Sequence, residues 1–224
     1  MGEVMGKILV VASDKGGVGK STYTANTASM AVNKGLSAII LKADKNNDLI
    51  SWNGKRQANG LLPVPVHEAY GDISGEITRL SKLCDLLIVD CPGHDSPEFR
   101  SALTVSDILV TLVKPSSDFE SETLMTVTEK VRIAQKSNPK LTPWVLLTRI
   151  NSSRPRHRNA AIELDKILRS NEIWIQPLKS RLSEIDVFEV ACNEGAGVHD
   201  VSRASSLSAA KAQIELVAQE IGII

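Results

Sequence analysis

A chain of 224 residues with 42% apolar and 23% charged side chains is long enough for one α/β core spanning residues 1–224. Its 26 lysines and arginines balance its 26 aspartates and glutamates; that excludes an overall field drawing it to nucleic acid, so any polyanion surface has to be a local patch. Three cysteines (Cys84, Cys91, Cys192), odd in number and without a CxxC pair, argue against a disulfide framework or zinc site and predict a reducing, cytoplasmic setting.

In chain order, apolar β-branched runs predict strands at 7–13 (KILVVAS) and 37–43 (SAIILKA), a weaker one at 63–67 (PVPVH), and strong ones at 85–90 and 107–113. WVLLT (144–148) follows, and EIWIQ (172–176) is a second weak candidate. Amphipathic segments between them predict helices at about 20–34, 72–83, 97–105, 118–137, 155–170, 183–192 and 200–222. This alternation, with strands apolar on both faces, predicts a mostly parallel twisted sheet covered by helices on both sides. Ligands then bind beyond the carboxyl ends of the strands. No stretch approaches the roughly 18 apolar residues of a membrane span, and the N-terminus lacks the regions of a signal peptide.

The first strand runs into SDKGGVGKST (13–22). Gly16, Gly17 and Gly19 let the backbone turn its N–H groups inward ahead of a helix N-terminus, which makes an anion cradle. Lys20 reaches the terminal phosphates, and the Ser21 hydroxyl is placed to ligate Mg²⁺. Lys15, Gly16, Gly17, Val18, Gly19, Lys20, Ser21 and Thr22 together form the expected nucleotide-binding loop.

The second lysine makes KGGVGKST more specific than a general phosphate loop. The chain resembles the deviant Walker A ATPases, the family of ParA partition proteins and MinD. The resemblance extends to GLSAIILKADKNNDLISW (35–52), LLIVDCPG (86–93) and the later strands, strongest over the first 120 residues. It implies a Mg²⁺-dependent ATPase of weak activity that dimerises on ATP. Lys15 would reach across the dimer to the partner's phosphates, while Lys20 serves its own nucleotide. Asp44 would position the attacking water and the hydrated Mg²⁺, and Asp90 would hold the metal with Ser21. The adenine is expected near Arg149, Asn151 and the segment 176–178, which contains Pro177. Two residues depart from the pattern: Lys42 stands where the family carries an aspartate, and Lys45 where it carries a proline. Lys42 either reaches the phosphate and metal sphere or turns away from it, and the sequence leaves both open.

Within the family, a phosphate loop starting at Ser13 matches the short type without an N-terminal helix-turn-helix. The C-terminal stripe Leu207, Ala210, Ile214, Val217 and Ile221 carries a net acidic charged set (Lys211, Glu215, Glu220), so packing on the sheet is expected rather than membrane attachment. Cys91 has no bridging partner of the kind iron–sulfur relatives need. In TRINSSRPRHRN (148–159), Arg154, Arg156 and Arg158 form a basic patch with no acid between Glu129 and Glu163. Pro155 predicts a helix start there, and positive charge in a first helical turn opposes the helix dipole. These arginines are the expected contacts to nonspecific DNA. The resemblance further implies a ParB-type partner and a cytoplasmic, nucleoid-associated protein. The alternative is a MinD-like or secretion-associated ATPase that positions a protein assembly.

Overall fold

Strands that are apolar on both faces need a helical layer on each side, and two separate cores result. The computed structural model describes residues 5–13, 15–92, 96–115, 119–151 and 153–224. Strands β1 (Lys7–Ala12), β2 (Ala38–Lys42), β3 (Val66–Glu68), β4 (Leu86–Asp90), β5 (Ile108–Val113) and β6 (Thr142–Leu147) form one parallel sheet in the order β3-β2-β4-β1-β5-β6. Within β1, Ile8, Val10 and Ala12 enter one core while Leu9 and Val11 enter the other. The first core is closed by α3 (Ser74–Leu80), α4 (Pro97–Leu103), α5 (Phe119–Ser137) and α6 (Pro155–Arg169). The second is closed by α1 (Lys20–Asn33), α2 (Asp48–Ala58), α7 (Val187–Asn193) and α8 (Leu207–Glu220).

Three elements differ from the sequence expectation. Helix α2 was not expected, because its buried positions are Leu49, Trp52 and Arg56. An arginine at the third position hides the apolar stripe. Arg56 is fully buried and bonds to Asp200 at 2.7 Å. EIWIQ is not a strand: the Arg132 guanidinium takes the carbonyls of Glu172, Ile173 and Trp174 and holds them in a turn. Pairing beside β6 begins at its end, where Val145 N–H donates to Gln176 O, and it survives only as the isolated bridges Val145–Pro177 and Ile150–Ser183. The last helix starts at Leu207 rather than near 200, after Ser206 in a left-handed conformation (φ 57°). On α8, Ala210, Ile214, Val217 and Ile221 are buried in the second core, as the stripe predicts. No helix among the described residues is long and apolar enough to cross a membrane.

Candidate nucleotide site

The central strands β1, β4 and β2 end together, and their register puts Val11 opposite Asp90 and Lys42 opposite Asp90. The loop after β1 then turns back over these ends. Gly17 (φ 74°) and Gly19 (φ 95°) take conformations that strain any residue with a Cβ, and Gly19 caps α1. Among the described residues neither a capping side chain nor a first-turn acid covers the start of α1, so its partial positive charge stays available to an anion. The Thr148 hydroxyl donates to Val18 O at 2.9 Å and ties the loop to the end of β6. At the loop's entrance a local bond shapes the turn, the Ser13 hydroxyl donating to Lys15 O at 2.6 Å.

Lys20 and the two aspartates meet beneath this loop. The ammonium lies 3.1 Å from Asp44 Oδ2 and 3.2 Å from Asp90 Oδ1. Burial opposes the charge on Lys20, but Asp90 and Asp44 together raise its pKa above the ordinary lysine value. Burial likewise works against ionised Asp44, yet the ammonium beside it holds that carboxyl below its usual range. Asp90 is different: complete burial pushes it up to about 6 despite the same lysine. Its Oδ1 accepts from Lys20 and from Thr24, while Oδ2 is buried without a hydrogen-bond partner among the described residues. A buried orphan carboxylate oxygen that shares Lys20 with Asp44, next to the loop that carries Ser21, is the donor chemistry a hydrated Mg²⁺ needs. The residues therefore fit that metal.

Lys42 turns away from this sphere. Its side chain is 0% exposed, and its ammonium donates to Glu68 Oε1 at 2.8 Å and to the Tyr70 hydroxyl at 3.3 Å. Burial lowers its pKa, but Glu68 and Tyr70 more than compensate, so the charge is kept and spent on the sheet edge. Lys45 is exposed.

Beside the phosphate loop lies a cavity walled on one side by Gly19 and by Thr22, Tyr23 and Asn26 of α1. The opposite wall is Thr148 and Arg149 at the exit of β6, then residues 182–186 with Phe188 and Glu189. Arg149 is thus placed in the cavity, and Asn151 reaches its edge through a 3.0 Å bond to Glu184. Pro177 is not brought there: it pairs with Val145, and Leu178 beside it is core. Residues 182–186 were missed because nothing in LSEID marks it locally. It is aligned by Ile150, whose N–H donates to Leu182 O and whose carbonyl accepts from Glu184 N–H.

Arg154, Arg156 and Arg158 stand apart from the loop, exposed at the start of α6, where Pro155 occupies the first turn and no acid accompanies it. Lys114, Arg154 and His157 lie near enough to Glu184 to help lower its pKa, after the larger contribution of the Asn151 bond. The three cysteines are free: Cys84 and Cys91 are buried and Cys192 partly so.

A parallel sheet whose first strand feeds a glycine-rich anion loop, with a lysine between two strand-end aspartates, defines a phosphate-loop nucleotide-binding protein. Residues 9–185 match the CobQ/CobB/MinD/ParA nucleotide-binding domain, and the chain belongs to that family. It is 24% identical over 222 residues to protein ParA of Rhizobium radiobacter, covering 96% of this chain and 95% of that protein. It is 30% identical over 155 residues to the maintenance of carboxysome distribution protein A of Halothiobacillus neapolitanus, covering 66% of this chain and 67% of the relative. Among solved structures, a Cyanothece McdA variant in complex with ATP superposes with a TM-score of 0.72 at 15% identity, over 98% of both chains.

Proposed function

We propose that this protein is a partition-type ATPase: two copies close on ATP, bind DNA without reading sequence, and hydrolyse the nucleotide when a ParB-type partner stimulates them. The observation that carries the reading is the lysine–aspartate cluster under the loop, where one ammonium is shared between Asp44 and Asp90. In this scheme Lys20 leaves the carboxylates for the phosphates, and Lys15 contributes a second positive charge to the partner's nucleotide. Asp44 orients the attacking water, and Ser21 with Asp90 holds Mg²⁺, which when bound neutralises phosphate charge. The start of α1 adds backbone N–H groups that need no reorganisation. Lys42, occupied by Glu68, adds nothing to the reacting sphere, so Lys42→Met should leave turnover per folded dimer within about twofold.

Support for the DNA half is the exposed arginine triplet at the start of α6, uncompensated by any first-turn acid. DNA affinity measured with ATP across a salt series tests it. Replacing Arg154, Arg156 and Arg158 by alanine should weaken binding to all sequences alike and flatten the log–log salt slope by roughly one unit per lost phosphate contact. Coincident slopes in two proteins that both dimerise would move the DNA to another surface. A second reading, an ATPase that distributes a protein assembly, is favoured by the similarity to the carboxysome-distribution protein. Wild-type protein that dimerises with ATP but never retains DNA at low salt would favour it.

A further inference from the structure

Arg149 combines three observations that the phosphate chemistry does not use. It is one of two non-glycine residues with positive φ among those described, at 53°, a conformation that costs free energy unless its surroundings impose it. Its guanidinium pairs with Glu189 in the first turn of α7. Its Nε also lies 3.8 Å from the position a Cβ on Gly19 would take, so the side chain passes over the last glycine of the phosphate loop. Arginine, glycine and glutamate all line the same cavity. The side chain therefore spans the cavity from the exit of β6 to α7. Two residues on, the Asn151–Glu184 bond pins the same exit segment to the same wall.

We propose that the Arg149–Glu189 pair is a latch across the mouth of the nucleotide cavity, closed in the nucleotide-free protein and opened as the base enters. The inference rests on the nucleotide reading of that cavity. Both partners are part-exposed, with side chains 34% and 55% accessible. A pair in that setting stabilises by only about 0.2–1 kcal/mol, weak enough to open at every binding event. Once released, the planar guanidinium sits at the rim where it can lie on the face of an aromatic base. Glu189 is then a positioning residue: it acts on the nucleotide only through Arg149.

Stopped-flow binding of a fluorescent ATP analogue to the nucleotide-free chain tests this. Glu189→Gln should speed association about 1.4- to fivefold, the pair's worth expressed as a ratio, and leave dissociation unchanged, because the latch is already open in the complex. Arg149→Ala should speed both association and dissociation, since the base loses its cover as well. The double swap Arg149→Glu with Glu189→Arg re-forms the pair in reverse and should return association to the slow, wild-type rate. Equal association rates for wild type and Glu189→Gln would overturn the latch, as would a double swap that stays fast. A purely structural pair would instead lower the melting temperature and leave both rates alone. Folded wild-type protein that binds no ATP analogue would bring down the nucleotide reading itself, an outcome distinct from equal rates in two proteins that bind.

Discussion

Two clusters of buried charge lie on the same side of the sheet, and their hydrogen-bond accounts differ. Around Arg56 the account is full. The guanidinium donates to Leu62 O, Gly195 O and both oxygens of Asp200, and it also stacks 5.2 Å from the Trp52 ring. Asp200 accepts in addition from Ser29, Asn33 and the Gly197 N–H. Around Lys20 the account is short: one ammonium serves two carboxylates, and Asp90 Oδ2 has no partner among the described residues. Burying polar groups is costly unless they are paired. A closed network pins one helix to a distant loop, whereas an incomplete one marks where a ligand is to arrive.

Breaking the closed network should have the largest effect. Asp200→Ala leaves the Arg56 charge buried and unpaired, and should cost about 3–5 kcal/mol of unfolding free energy in urea titration. A loss below 1 kcal/mol would show that Arg56 finds water, and the contrast would fail. Next in size, Lys20→Ala should remain folded by circular dichroism yet lose ATP affinity by roughly a hundredfold, as the loss of charge-assisted bonds of about 1.5–3 kcal/mol each requires. Retained affinity would remove Lys20 from the phosphates.

The third effect is the most diagnostic, because it has the opposite sign. A carboxyl raised from 3.8 to about 6 in the folded state binds its proton more tightly there than in the unfolded chain. Asp90 therefore costs stability as pH climbs through that window, and the cost is full above about pH 6. Asp90→Asn should stabilise the nucleotide-free protein at pH 7.5 by about 3 kcal/mol, at roughly 1.4 kcal/mol per pKa unit. Urea melts at pH 7.5, 6 and 5 should show this gap closing as the wild-type carboxyl takes up its proton. Asp200 runs the other way. Burial opposes its charge, but Arg56 and its other donors depress its pKa, so its contribution is full above the ordinary carboxylate value and fades only as pH falls through the lower folded one. An Asp90→Asn protein less stable than wild type at pH 7.5 would mean that Lys20 needs both acids to stay buried.

What the chain declares on its own is what neighbouring residues encode. Apolar strands of period-free Val, Ile and Leu, each followed by an amphipathic segment, specify a parallel sheet with two helical layers. The spacing in KGGVGKST specifies an anion loop between a strand and a helix. Both are legible because strand propensity, glycine freedom and helix start are properties of a few consecutive residues. Helix α2 was not legible, since its buried Arg56 looks like a surface residue until Asp200, 144 positions away, is beside it. EIWIQ misled in the reverse sense: its pattern is that of a strand, but Arg132 on α5 claims its carbonyls first. The direction of Lys42 and the identity of the cavity wall at 182–186 belong to the same class. A long side chain and a short bridging segment each have several local choices of nearly equal energy, and only a partner brought from elsewhere by the sheet, Glu68 for one and Ile150 for the other, selects among them.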